Sequence, residues 1–211
     1  MNFSRPRFRA IAFLIAGFIA ACGSDSGDPD LAFTGSSAPP LSDTNADGFN
    51  LAAPVDYWEI RGRNPDSASG LQPSERIFRY DADRYASLSE AQISDLAAAD
   101  SQTGFRYGCI PASCAIYAVA VTGDTTLIIN STPLLLAFIG TIDTAAELTL
   151  WLWAADYELR QYRRTAGGYE AFVVQDNACG RVRTAIVFVD TNGVITELES
   201  VVREDRNAPC T

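Results

Sequence analysis

Apolar positions cluster differently in three stretches of the chain. Residues Ala10 to Ala21 form an unbroken apolar run behind a basic, acid-free start carrying Arg5, Arg7 and Arg9. Residues 22–50 are rich in Gly, Ser, Pro and Asp and hold few large apolar side chains. From Leu51 onward aromatic and aliphatic residues recur with periods suited to packed strands and helices. This pattern divides the chain into a leader over 1–21, a flexible tether over 22–50 and one folded domain over 51–211.

Within the folded part, Val55–Arg61 and Arg76–Tyr80 read as short strands. Ser87–Ala99 reads as a helix, with Ser87 and Ser89 as candidate N-caps and Ile93, Leu96 and Ala97 on one side. Ala115–Thr122 and Thr125–Asn130 read as strands joined by Gly123-Asp124, a pair that supplies the positive φ of a tight turn. Ser131-Thr132-Pro133 looks like a helix start with Pro at the first helical position, and that helix stops at Gly140. Thr144 and Glu147 form a capping box ahead of Leu148–Ala155. Leu148 to Trp153 alternates like a strand, but the cap and the Ala-rich flanks favour a buried helix. Leu159–Arg164 and Tyr169–Val174 are strands around a turn at 166–168. Arg181–Asp190 and Val194–Arg203 flank Asn192-Gly193, a strong hairpin signal. A two-residue turn there sets Val189 opposite Thr196, Val187 opposite Leu198 and Cys179 opposite Arg206. The fold class expected is α+β: an antiparallel sheet with two or three short helices, in a single disulfide-stapled domain.

The apolar run near the start is too short for a membrane span. As a helix, residues 10–21 cover about 18 Å of a ~30 Å hydrocarbon core. A basic start, a short apolar stretch and small residues at its end describe an export signal. The run ends Ile19-Ala20-Ala21-Cys22, which resembles the lipobox of bacterial lipoproteins. The resemblance implies diacylglycerol on the Cys22 sulfur, cleavage before Cys22 and acylation of the new amino group. Several acyl chains hold a protein on a membrane where one does so only marginally. Gly23 rather than Asp follows, which by the same resemblance favours the outer membrane. The expected location is the cell envelope, facing the periplasm or the cell surface.

Cysteine usage agrees with export. Apart from Cys22, the chain holds Cys109, Cys114, Cys179 and Cys210, an even number suited to disulfides in an oxidising compartment. Of the three connectivities, Cys109–Cys114 and Cys179–Cys210 are preferred. The first closes a tight loop, and the second pins the open end of the last hairpin to the C-terminus.

Charge and missing residue types narrow the chemistry. The chain has 16 basic and 26 acidic residues and a formal charge of -10. Loss of residues 1–21 removes three Arg and no acid, so the mature charge is 13 − 26 = -13. Such a chain lacks the basic footprint of a nucleic-acid binder. Nor would charge hold it to an anionic lipid surface, so its membrane attachment would rest on the acyl chains. Every basic residue is Arg, and there is no His. Ser–His–Asp and Cys–His catalysis are therefore ruled out, and no Lys exists to act as the base. No phosphate loop, dinucleotide fingerprint or zinc spacing occurs.

Other local patterns carry weaker signals. Asp43, Asn45 and Asp47 followed by Gly48 match the opening of an EF-hand-type calcium loop. The closing acid position falls on Pro54, with Asp56 two residues late, so a soluble linker end is the plainer reading. Asp81-Ala82-Asp83 reads as a strand end and solvated turn rather than a carboxylate pair that holds a metal or flanks a sugar. Glu158, Arg160, Arg163 and Arg164 beside Tyr162 read as a charged strand protecting a sheet edge rather than an anion site. Asn130-Ser131-Thr132 fits a glycosylation sequon but suits a helix cap better. Trp58, Trp151 and Trp153 read as core residues rather than a sugar platform. Residues 138–157 and 189–200 are similar to segments of uncharacterised secreted bacterial proteins, which implies kinship of fold and brings no assigned activity.

The functional expectation is a non-catalytic binding or structural module of the envelope. Its partners would be the membrane, through the lipid, and an envelope protein or polymer. Two rivals stand beside it. One is a carboxylate-only hydrolase of envelope glycans, requiring two acids about 5–10 Å apart with one raised in pKa. The other is a calcium-dependent structural module built on Asp43, Asn45 and Asp47.

Overall fold

A computed structural model describes residues 31–41, 48–63, 75–79, 81–108, 115–177 and 181–204. The class is α+β, with two antiparallel five-stranded sheets among the described residues where one had been expected. In chain order the elements are β1 Ser36–Ser37, β2 Tyr57–Arg63, β3 Glu75–Arg79, α1 Ala82–Ala86, α2 Glu90–Ala98, β4 Arg106–Tyr107 and β5 Ala115–Thr122. There follow β6 Thr125–Ile129, α3 Thr132–Ile139, α4 Ala145–Ala154, β7 Glu158–Thr165, β8 Gly168–Asn177, β9 Arg181–Asp190 and β10 Ile195–Glu204. One sheet runs β1-β7-β8-β9-β10. The other runs β3-β2-β5-β4, with β6 also paired to β5.

Period-two alternation explains the layers. On β2, Trp58 and Ile60 join a large core with Ile116, Ala118 and Ala120 of β5. Tyr57 of β2 instead joins Tyr117, Val119 and Val121 of β5 in a second cluster, closed by Leu88 and by Leu96 of α2. From the other sheet, Ala171 and Val173 of β8 and Ala185, Val187 and Val189 of β9 enter the large core. Residues of α3 and α4 lie in that core with both sheets. Leu148, Leu150 and Leu152 on α4 are fully buried, and Trp151 is nearly so. Alternation within Leu148–Trp153 thus reflects a helix buried on most sides, not a strand.

Caps decide where the helices begin. Thr144 accepts from the Glu147 N–H, and the Glu147 carboxylate accepts from the Thr144 N–H, completing the box before α4. Ser89, one of the two candidate caps, forms the equivalent box with Gln92 ahead of α2. Ser87 instead closes α1, a helix the apolar pattern did not suggest. Asp81 caps α1 by accepting from the Arg84 N–H, so Asp81-Ala82-Asp83 starts a helix rather than ending a strand. Ser131 occupies the N-cap of α3 with Pro133 in the first turn, but its side chain makes no cap bond.

Two hairpins show how turn chemistry sets register. Gly123 has φ 54 and Asp124 does not have a positive φ, matching the backbone a two-residue II′ turn requires between β5 and β6. Thr122 faces Thr125 and Ala120 faces Leu127. Between β9 and β10 the connection is longer than expected. Asp190 Oδ1 accepts from the N–H of Asn192 and of Val194, at 2.9 and 2.8 Å, and Asp190 itself pairs with Val194. Gly193, at φ 81, completes a three-residue loop. Val189 therefore faces Ile195 rather than Thr196, and Val187 faces Glu197 rather than Leu198. A bulge between Glu197 and Glu199 restores the expected register from there onward.

Part of the stretch read as tether lies on the fold. Ser36 and Ser37 pair with Tyr162 and Gln161 of β7. Leu31 is buried, and the ring of Phe33 stacks on that of Phe172, centroids 6.3 Å apart. Composition missed this because two well-placed apolar side chains dock a segment that is otherwise polar. β1 lies alongside β7 at Gln161 and Tyr162, where an unpaired edge had been expected.

Candidate functional site

The residues singled out for lipid, disulfides and calcium lie outside the described residues: Cys22, Cys109, Cys114, Cys179, Cys210, Asp43, Asn45 and Asp47. Among the described residues, no group of three or more His, Cys, Asp or Glu is placed to hold a metal. No described helix is long and apolar enough to cross a membrane. Apart from the Thr144–Glu147 cap, the polar groups brought together inside the fold are ones the sequence pattern did not single out.

The first group lies on β2. Tyr57, Glu59, Arg61 and Arg63 share one face by strand alternation. Glu59 is fully buried, and Arg61 nearly so. Arg61 Nε donates to Glu59 Oε1 at 2.5 Å, and the Tyr57 hydroxyl donates to Glu59 Oε2. Arg61 Nη1 also donates to the Ala99 carbonyl at 2.7 Å, just past the end of α2. At the rim, the Tyr117 hydroxyl donates to Asp100 Oδ1 at 3.2 Å. Arg63 Nη1 stands 3.2 Å from Asp100 Oδ2 as an ion pair without hydrogen-bond alignment. The segment YWEIRGR hinted at this row, because Glu59 and Arg61 alternate with Trp58 and Ile60 in a strand too apolar to lie in water.

The second group surrounds Glu147, also fully buried. Its carboxylate accepts from the backbone N–H of Asn50 at 2.5 Å and of Asp143 and Thr144 at 2.9 Å each. Asn50 Nδ2 donates to Asp143 Oδ1, and the Thr144 hydroxyl donates to the Gly48 carbonyl. The Tyr169 hydroxyl donates to the Asp143 carbonyl at 2.5 Å. Burial pushes the Tyr169 phenol above its ordinary pKa; Arg164 works against the shift, while Asp143, Glu147 and Tyr162 add to it. The sequence shows the cap of α4 but not that residues 48–50 complete it.

A third group closes the far end of α4. The Arg106 guanidinium lies 4.8 Å from the centre of the Trp153 ring, donates to the Trp153 carbonyl and pairs with Asp156 at 3.3 Å. A cation there meets the negative end of the helix dipole and its free carbonyls. Burial pulls Arg106 below its usual pKa, and Asp156 offsets part of that shift.

In all three groups side-chain polar atoms meet partners within the chain, although Arg63 Nη1 has an ion-pair partner and no hydrogen bond. Both oxygens of Glu59 and of Glu147 accept hydrogen bonds from within the chain. The charged residues of β7 behave similarly: Arg160 pairs with Glu158, and Arg163 with Glu170. Trp58 and Trp151 are buried, and the Trp151 indole N–H donates to the Gly193 carbonyl at 2.9 Å. Trp153 is half-buried against Phe105 and Arg106. In comparisons with protein-family models, curated proteins and solved structures, the chain matches none of them.

Proposed function

We propose that this chain is an exported lipoprotein of the bacterial envelope whose folded part binds or supports other envelope components without catalysing a reaction. The observation that carries the reading is Ile19-Ala20-Ala21-Cys22, standing behind three Arg and a short apolar run. The outer membrane is the proposed destination, with disulfides Cys109–Cys114 and Cys179–Cys210 stapling a single domain. A non-catalytic role is supported by the absence of His and Lys from the sequence. It is supported further by the two fully buried carboxylates, Glu59 and Glu147, whose oxygens are occupied by Tyr57, Arg61 and backbone N–H groups.

Mass spectrometry of the amino-terminal peptide from native membranes tests the anchor. A peptide starting at diacylglycerol-modified Cys22 is expected, and Cys22→Ser should move the protein out of the membrane fraction or leave its leader attached. An unmodified Cys22 on soluble wild-type protein would overturn the proposal. Binding is tested by recovering partners of the native protein from mildly solubilised envelopes. Consistent failure to enrich any envelope protein or polymer over the Cys22→Ser control would count against that half of the reading.

A further inference from the structure

Among the described residues, β3, β6 and β10 are strands of five or more residues with one free side, and β6 and β10 are built in opposite ways. β10 carries Glu197, Glu199, Arg203 and Glu204 and a bulge between Glu197 and Glu199. Charges and bulges of this kind keep strange strands from adding to a sheet. β6 is Thr-Thr-Leu-Ile-Ile, with no charge, no proline and no bulge in its pairing with β5. Among the described residues, no strand pairs with its outer side.

The hairpin fixes which backbone groups face outward. Thr122 and Thr125 close a two-residue turn, so they form a hydrogen-bonded pair. Alternation makes Ala120 with Leu127, and Ala118 with Ile129, the next such pairs. The N–H and C=O groups of Thr126 and Ile128 therefore point away from β5. Side chains in the middle of the strand are exposed on both faces, although Ile129 is buried. Leu127, on the large-core face, is 45% exposed, and Ile128, on the opposite face, is 36% exposed. Leu134 on the neighbouring α3 is 47% exposed, and Tyr107 on β4, farther along the same edge of β5, is 54% exposed. The remaining exposed large apolar side chains, Val194, Leu198 and Val202, belong to β10 and its turn.

We infer that β6 is a dimerisation edge, which pairs antiparallel with β6 of a second copy about a two-fold axis at Leu127. In that register Thr126 and Ile128 of one copy exchange both backbone hydrogen bonds with Ile128 and Thr126 of the other. Leu127 meets its own counterpart at the closer, non-hydrogen-bonded position, where cross-strand side chains touch. Asp124 falls opposite Asn130, so no like charges oppose one another, which matters for copies with a formal charge of -10, or -13 without residues 1–21. The pairing is isologous and closes at two chains. It does not depend on the lipid anchor, and a failed dimerisation test would leave that reading intact.

The test uses the full chain purified in mild detergent, sized by sedimentation equilibrium. A particle of twice the chain mass is expected. Thr126→Pro, which removes an outward N–H without touching the β5 ladder, and Ile128→Lys should each give the single-chain mass with unchanged circular dichroism. Leu127→Cys should yield a disulfide-linked dimer on mild oxidation that wild type lacks, whereas Leu198→Cys on β10 should not; this readout holds even where the other variants fold poorly. A wild-type chain that stays single up to its solubility limit overturns the inference. So does a dimer that survives both edge variants, or one that cross-links equally through Leu198→Cys.

Discussion

Glu147 and Asn50, ninety-seven positions apart, are joined by a 2.5 Å hydrogen bond from the Asn50 backbone N–H to Glu147 Oε1. The same carboxylate caps α4 through its other oxygen, which accepts from Asp143 and Thr144. One buried anion thus starts a core helix and holds the chain that leads into β2.

Replacing Glu147 with Ala leaves these N–H groups without their acceptor. Unsatisfied buried donors cost about 1–3 kcal/mol each, and partial rescue by water brings the expected loss to ~2–4 kcal/mol in urea unfolding. Glu147→Gln keeps an oxygen for the α4 cap and should lose less. Hydrogen exchange read at the Asn50 amide should speed up in that variant while the α4 amides stay protected.

Arg61→Met strands the Glu59 carboxylate in the interior. Removing one partner of a buried ion pair typically costs ~3–5 kcal/mol. The double variant Glu59→Leu, Arg61→Met should be much less destabilised than Arg61→Met alone, because no charge is left unpaired. Equal losses for the single and double variants in denaturant unfolding would show that the pair is not coupled.

Gly193→Ala meets two obstacles. At φ 81 a Cβ is strained, and the added atom would sit 3.0 Å from Leu136 Cδ1 and from the Trp151 ring. A left-handed backbone costs roughly 1–2 kcal/mol for a side-chain-bearing residue, and crowding adds to it. Thermal unfolding should report a loss of about 2–4 kcal/mol, accompanied by a change in Trp151 fluorescence.

Tyr169 sets a limit at alkaline pH. Its folded-state pKa is raised, chiefly by burial, so the folded chain keeps the phenolic proton where the unfolded chain has lost it. Its contribution to stability is complete below the unfolded value of ~10 and is lost as pH rises through the folded value. Urea unfolding between pH 8 and 12 should show stability falling from about pH 10 upward, and Tyr169→Phe should flatten part of that fall.

Local rules made much of the fold legible. Thr144 with Glu147 marked the start of α4 even where Leu148–Trp153 alternated like a strand, because a capping box satisfies specific N–H groups. Gly123-Asp124 located the β5–β6 turn for a similar reason: few residues accept that backbone. Sequence fell short in one local turn and in contacts between distant segments. Asp190 accepting from Asn192 and Val194 lengthened the last turn and shifted the near half of the β9–β10 ladder. Neither the Glu59–Arg61 pair nor the reach of Glu147 to Asn50 follows from local pattern, since each needs the packed layers before it has any energetic meaning.

The docking of Leu31, Phe33 and Ser36–Ser37 onto the β7 sheet bears on how far the body could roam from a lipid at Cys22. Only about nine residues separate that sulfur-bearing position from Leu31, and a chain that long stretches to ~30 Å at most. Such a leash is about as long as a small domain is wide. The strand β1 would then fix which flank of the molecule looks toward the bilayer, leaving the opposite flank to meet whatever occupies the space beyond.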